Sequence, residues 1–168
     1  MRLFRSKQEK LLDDLQQEIN QRWARVGLGK ANPFFRSRRD DGSPHVEVRG
    51  ARYDIVVTER GSENQRVAGL CLEDAARWFV FGMAAGHAQR DELRMRTAPK
   101  DAPKLPHGLT DDGYSRWNWM APAIGMMEKI SAEWGEWARK DYQAVLRRAP
   151  LQDYEKRNAR FPLPPDAD

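Results

Sequence analysis

The chain has 168 residues, which is about the length of one domain and enough to bury a core without disulfides or metals. Its 29 Lys and Arg face 25 Asp and Glu, and the two signs are interleaved along the chain, which disfavours the one-sided basic stripe of a nucleic-acid binder. The one cysteine, Cys71, excludes an internal disulfide. Because it lies between two leucines, we interpret it as a buried thiol that acts as a small hydrophobe.

No stretch of the sequence predicts a signal peptide or a membrane span. The N-terminal residues MRLFRSKQEK hold no apolar core of a signal peptide. The longest apolar run is shorter than the roughly 18–20 residues that a membrane-spanning helix needs. We therefore expect a cytoplasmic protein that forms a single domain over residues 1–168.

The first predicted element is an amphipathic helix over residues 6–26. Ser6 and Glu9 have the spacing of a capping box, and Gly27 is a stop signal. Apolar residues recur at three- and four-residue spacing along one face, at Leu11, Leu12, Leu15, Ile19, Trp23 and Val26.

A loop without periodicity follows, and it carries a short basic run next to two aromatics. The basic residues are Arg36, Arg38 and Arg39, and the aromatics are Phe34 and Phe35. Such a pairing suits contact with a phosphate backbone or an acidic partner. The alternative, which we favour, is a solvated loop that two phenylalanines pin to the core.

Residues 45–72 predict a three-stranded antiparallel meander. The segments 45–49 and 52–59 alternate with period two around a tight Gly50–Ala51 connection. We predict a turn over 61–65 and a third strand over 66–72. In the second strand one face is apolar and the other is mixed, with Tyr53, Ile55 and Val57 on the first and Asp54, Val56 and Thr58 on the second.

A buried helix is predicted over residues 73–96, because its middle is apolar on nearly every face. Acidic residues lie in its first turn and arginines in its last turns, as the helix dipole favours. Gly82 and Gly86 suggest close packing on the sheet or on the last helix. His87, one turn before Asp91, is better interpreted as a structural histidine than as a metal ligand.

The C-terminal part predicts a Pro-rich loop over 97–112, one long Trp-rich helix over 114–148 and an irregular tail over 150–168. Pro122 is expected to kink or start the helix. The complete pattern predicts an α+β fold in which the meander packs against the central helix and the long C-terminal helix. Trp119 and Trp137 fall at the edges of the apolar stripe, where they suit interface anchors or lateral packing within the monomer.

The sequence holds no catalytic signature. There is no phosphate-binding loop and no GxSxG turn, and the three histidines do not have the spacing of a zinc site. We therefore predict no catalytic residue, no metal and no cofactor. An enzyme stays a third option, which a deep polar pocket around Glu59, His87 or Arg94 would support.

The order of the predicted elements resembles the small immunity proteins of bacterial polymorphic-toxin loci. The resemblance spans Glu47 to Asp153, and its most specific parts are the Glu59-Arg60-Gly61 turn, the Arg94 and Arg96 pair, and the ending from Pro150 to Asp153. It implies a cytosolic antitoxin without activity of its own, monomeric before it binds toxin. Its target would be one cognate toxin domain, delivered by an Rhs, contact-dependent or type VI secretion system. Within that group the chain is similar to antidotes of ADP-ribosyltransferase toxins, with other toxin chemistries left open.

An antidote of this kind can work by plugging the toxin's active-site cleft. The candidate contact residues are Arg36, Arg38, Arg39, Glu59, Arg60, Glu63, His107, Trp119 and Trp137. The alternative from another class is a nucleic-acid-binding or regulatory module that uses the basic loop 36–39. Salt dependence separates the two, because a phosphate-dominated complex weakens steeply as salt rises.

Overall fold

The computed structural model describes residues 6–165, which form an α+β architecture, as predicted. The elements are α1 (Lys7–Ala24), β1 (Asp41–Arg49), β2 (Arg52–Glu59), β3 (Ser62–Leu70), α2 (Leu72–Met95), α3 (Trp117–Ile130), α4 (Ala132–Arg148) and α5 (Asp153–Arg157). Contacts along the chain group into two compact units, and the first ends at Gly82 within α2, where the second begins. The single domain expected over 1–168 stays a prediction.

Helix α1 begins with the predicted capping box. The Glu9 backbone N–H donates to Ser6 Oγ at 3.1 Å, and the Ser6 N–H donates to Glu9 Oε2 at 2.9 Å. Together these bonds satisfy two of the donors that a helix start leaves open. The buried face carries Leu12, Leu15, Ile19 and Trp23. Tyr53 of β2 donates its hydroxyl proton to the Leu11 carbonyl at 3.0 Å, which ties this helix to the sheet.

The sheet has the predicted antiparallel order β1-β2-β3, but two of its predicted boundaries are wrong. The β2–β3 turn is only Arg60–Gly61, and β3 begins at Ser62 instead of Arg66. Both turn residues have positive φ, +50° and +81°, as a tight two-residue hairpin of type I′ requires. Strand β1 begins at Asp41, four residues early, because Asp41 pairs with Glu59 and a register shift accommodates Pro44.

The two sheet faces differ as the alternation predicts. Tyr53, Ile55 and Val57 share the apolar face with Val46. The opposite face, which we call the charged face, carries His45, Glu47, Asp54, Glu63 and Arg66. The Asp54 side chain is only 2% exposed, so this face contains a buried carboxylate.

Helix α2 is buried along one face of its first half, where Ala75, Ala76, Phe79 and Val80 are at most 2% exposed, whereas Glu73 and Gly82 are exposed. The Phe34 ring lies 5.2 Å from that of Phe79. The close packing expected at Gly82 and Gly86 is wrong. A Cβ at Gly82 would meet no described atom within 4 Å, and one at Gly86 would meet only the Arg90 side chain at 3.8 Å. No helix among residues 6–165 is long and apolar enough to cross a membrane.

The long helix predicted over 114–148 is two helices, α3 and α4. Ser131, with φ −163° and ψ 153°, interrupts the helical backbone between them. Its N–H donates to Met127 O at 3.2 Å to close α3, and its Oγ accepts the Trp134 N–H at 3.1 Å to open α4. Pro122 lies inside α3, five residues after its start, so it does not begin the helix. The predicted tail contains the short α5, and its last three residues lie outside the described part of the chain.

Gly135 lets α4 approach α3 closely. A Cβ at this position would lie 2.3 Å from Glu128 Cγ and 3.0 Å from Glu128 Cα. We expect Gly135→Ala to destabilise the protein by about 1–3 kcal/mol, because α3 has to shift away from the added methyl group. In urea unfolding, the matched variant Gly82→Ala is expected to gain about 0.5–1 kcal/mol, since it raises helix propensity in open space. Equal stability of the two variants would contradict this close approach.

Candidate functional site

The basic loop and the β2–β3 turn meet at one end of the sheet, through Asp40. Its Oδ2 accepts the Gly61 N–H at 2.8 Å, and its backbone carbonyl accepts the Arg60 N–H at 3.4 Å. Asp40 Oδ1 accepts a bond from Arg38 Nη2 at 2.9 Å. Arg38 and the Gly61 amide lower the pKa of Asp40 below its usual range, so this carboxylate stays ionised. We call the resulting surface, residues 35–41 and 59–63, the hairpin end.

Every arginine of the basic run has a carboxylate within 4 Å. Arg36 lies 2.6 Å from Asp13, Arg38 lies 2.9 Å from Asp40, and Arg39 lies 3.8 Å from Asp41. The Arg39 guanidinium also lies 4.6 Å from the centre of the Phe35 ring, which is 40% exposed. The surface therefore combines exposed aromatic area with paired charges of both signs.

Arg60 projects from the tip of the hairpin. Its side chain is 92% exposed, and its nearest carboxylate is that of Glu59, 3.9 Å away. Its φ of +50° lies in the left-handed region, which costs residues other than glycine about 1–2 kcal/mol. Asp40, its partner across the loop, has a φ of +60°. Because aspartate tolerates positive φ, the unfavourable backbone conformation of this surface lies at Arg60.

The charged face continues from the hairpin end along the sheet. Arg66 donates to Glu63 at 2.8 Å, to Glu47 at 2.9 Å and to Asp54 at 3.0 Å, so one guanidinium links all three strands. Hydrogen bonds from Arg66 lower the pKa of Glu63.

Asp54 is the buried centre of the charged face. Burial acts to raise the pKa of its carboxyl, but the net pKa is lowered because the Gly69 N–H and the guanidinium groups of Arg49 and Arg66 bind the ionised form. The Gly69 N–H donates at 2.8 Å, and Arg49 Nε also donates at 2.8 Å. This network holds β1, β2 and β3 in register below the exposed charges.

Three predicted contact residues belong to the second unit. His107 is exposed in the Pro-rich loop and has a φ of +80°. Trp119 is half-buried; its Nε1 donates to Tyr114 Oη at 3.3 Å, and its ring lies 5.7 Å from that of Tyr142. Trp137 is also half-buried. These contacts favour lateral packing over a projecting anchor for Trp119.

Other candidate sites carry less chemistry. His87 lies 3.5 Å from Asp91, which also pairs with Arg94. Within residues 6–165, no group of three or more His, Cys, Asp or Glu side chains is arranged to hold a metal ion. A groove of about 570 Å³ in the second unit is mainly apolar, and the chain's own segment 162–165 forms part of its wall.

A family model described as Immunity protein 63 matches residues 49–144, more than half of the chain. The chain belongs to the Immunity protein 63 family. This membership confirms the resemblance to immunity proteins of polymorphic-toxin systems and supports an antitoxin role, with a cognate toxin as partner. Searches of curated proteins and of solved structures each returned no match.

The Immunity protein 63 match divides the hairpin end. The β2–β3 turn, with Glu59, Arg60 and Glu63, lies inside the matched residues. The basic loop 36–39 lies before them, so the surface joins a family segment to a segment outside the match. The structure nevertheless connects the two directly through Asp40.

The sequence did not predict the aspartates of the hairpin end and of the charged face as site residues. The sequence places Asp40 and Asp41 in a loop just before Gly42. Each nevertheless lies two residues after the arginine that it pairs with. The sequence predicted Asp54 only as a strand residue. The available signal was an aspartate between the apolar residues Tyr53 and Ile55, since a buried carboxylate requires a partner.

Proposed function

We propose that this Immunity protein 63 member neutralises its toxin by covering the toxin's active site with the hairpin end. The observation that carries the proposal is the Asp40 bridge, which fixes an exposed basic loop and an exposed turn as one surface. A preorganised surface loses less entropy on binding than two independent loops. Its exposed charges promote rapid encounter, and Phe35 supplies apolar contact area.

The pairing of the basic run favours a protein partner over a nucleic acid. Phosphate binding requires cations that are free to replace counterions. Here Arg36, Arg38 and Arg39 each lie within 4 Å of an aspartate, so this surface presents charges of both signs. Such a pattern complements a surface of mixed charge, which is typical of protein interfaces.

The remaining parts of the proposal follow from the antitoxin role. The protein acts in the cytoplasm, has no catalytic activity of its own and is monomeric until it binds toxin. Toxins delivered by Rhs, contact-dependent or type VI systems are the candidate partners. An ADP-ribosyltransferase domain is the first toxin chemistry to test.

The experiment uses the toxin domain encoded at the same locus as this chain. The two are co-expressed in a laboratory bacterium to score growth, and the purified proteins are mixed to measure affinity and inhibition. We expect wild type to restore growth, and we expect inhibition to be overcome by excess toxin substrate. Inhibition that substrate does not relieve would contradict occlusion of the active site.

Reversing two charges of the loop tests its part in the interface. We expect the double variant Arg38→Glu/Arg39→Glu to bind toxin at least tenfold more weakly, because like charges are then brought together across the contact. Arg52→Glu, on an exposed arginine at the opposite end of β2, is the matched control and should bind as wild type does. Isothermal titration at two salt concentrations measures the toxin affinity of both variants. An unchanged affinity of the double variant would show that the loop lies outside the interface.

A further inference from the structure

Arg60 is a residue type that its place in the turn does not favour. It is the tip residue of the β2–β3 hairpin, its side chain is 92% exposed, and its backbone is left-handed with φ +50°. Tight hairpins of this geometry prefer Asn or Asp before Gly, because these residues tolerate positive φ. An arginine there lowers hairpin stability without any packing gain in return.

The chain also fixes this tip from the side. The Arg60 N–H donates to the Asp40 carbonyl at 3.4 Å, and the neighbouring Gly61 N–H donates to Asp40 Oδ2 at 2.8 Å. Asp40 also has positive φ, which aspartate tolerates, so the strained residue that these bonds hold is Arg60. Strained backbone that its surroundings hold in place is typical of ligand-binding and switch positions.

We propose that Arg60 is the residue that enters the toxin's active-site cleft and binds a carboxylate there. This inference rests on the proposed function and adds the chemistry of the contact. A guanidinium presents its N–H donors as a planar fork that fits the two oxygens of a carboxylate. Full exposure at a fixed tip lets that fork reach into a concave site.

The neighbours of Arg60 select a carboxylate inside a protein cleft over a nucleic acid. Glu59 lies 3.9 Å from the guanidinium, and the ionised Asp40 lies beside the turn. These acids repel a continuous run of phosphates. They suit a cleft with carboxylates at its floor and cationic side chains at its rim.

Three substitutions at one position separate a binding role from a turn role. Arg60→Gly relieves the left-handed strain, so we expect its melting midpoint to rise by about 2–4 °C. The same variant is expected to bind the toxin domain from the same locus at least a hundredfold more weakly. Arg60→Lys keeps the charge but loses the fork, and should bind about tenfold more weakly. Arg60→Glu should not bind measurably, whereas the Arg52→Gly control should bind as wild type does.

The outcomes distinguish this inference from the proposed function. If wild type does not bind the toxin domain, the proposed function fails. If wild type binds and inhibits but Arg60→Gly does so equally well, the inference alone is overturned, because Arg60 is then only a turn residue. Wild-type binding to a short single-stranded DNA that Arg60→Gly abolishes would overturn the carboxylate assignment.

A double-mutant cycle tests the partner group on the toxin. Changing the toxin's active-site Asp and Glu residues singly to amides is expected to identify one variant that weakens wild-type binding strongly. Binding of that toxin variant should then be insensitive to Arg60→Gly, because the two changes remove the same contact. Additive losses for every amide variant would overturn the direct pairing.

Discussion

Replacing Arg116 by alanine is expected to destabilise the second unit by about 3–5 kcal/mol, because it leaves a buried carboxylate without its counter-charge. The Glu155 side chain is only 2% exposed. Arg116 Nε and Nη2 bind its two oxygens at 2.7 and 2.8 Å, and the Arg116 backbone N–H adds a third bond at 3.1 Å. The same guanidinium donates to the carbonyls of Ala149 and Pro150.

Urea unfolding measures this loss, and Arg139→Ala is the matched control. Arg139 also pairs with two glutamates, but its side chain is 40% exposed, so its removal should cost less than about 1 kcal/mol. The double variant Arg116→Met/Glu155→Gln is expected to recover part of the loss, since it removes the unpaired charge. Equal stability of Arg116→Ala and Arg139→Ala would show that the Glu155 pair is not the main support of this region.

The Arg116 variant should also reverse the pH dependence that Glu155 contributes. In wild type, burial alone would raise the pKa of Glu155, but bonds from Arg116 and from the Gln152 amide outweigh it and lower the pKa below 4.5. That stabilisation is complete above pH 4.5 and is lost as the pH falls through the lowered value. In Arg116→Ala burial is no longer outweighed, so protonating Glu155 favours the folded state. The stability gap between the two proteins should narrow from neutral pH to pH 4.5. A constant gap would contradict the pairing.

Asp54→Ala is the second change with a large expected effect. Its carboxylate, 2% exposed, accepts bonds from the Gly69 amide, Arg49 and Arg66, and these bonds come from both neighbouring strands. Because charged hydrogen bonds contribute about 1.5–3 kcal/mol each, with partial recovery by solvated arginines, we expect a loss of about 3–4 kcal/mol. Glu47→Ala removes an exposed partner of Arg66 and should cost less than about 1 kcal/mol.

Acid titration checks the sign of the Asp54 contribution. The lowered pKa means that its stabilisation is present above pH 3.8 and declines as the pH falls through the folded-state value. Wild type should therefore lose stability below that pH more steeply than Asp54→Asn does. If the two proteins lose stability equally as the pH falls, the charge of Asp54 does not stabilise the sheet.

The sequence predicted the fold well where a short-range pattern determines the backbone conformation. Ser6 and Glu9 gave the start of α1, and the alternation in residues 52–59 gave β2. The β2–β3 turn was displaced because Arg60 is a weak signal for a tight turn. The sequence did not predict the break at Ser131, because the apolar three–four repeat continues through the residue that caps both helices.

The candidate site was predictable only in its parts. The arginine run and the 59–63 turn stand out in the sequence, but their junction depends on Asp40, whose bond to Gly61 spans 21 residues. The Arg116–Glu155 pair spans 39 residues, and no local pattern indicates it. The sequence left Trp119 open between an interface anchor and lateral packing, because an apolar repeat does not show its hydrogen bond to Tyr114.

Hydrogen–deuterium exchange on the complex with the toxin domain from the same locus shows directly whether the hairpin end covers the toxin's active site. We expect strong protection of residues 35–41 and 59–63 on the immunity protein. We also expect protection of the segments that line the active-site cleft of the toxin. Protection confined to residues of the second unit, with the hairpin end exchanging as in the free protein, would contradict this proposal.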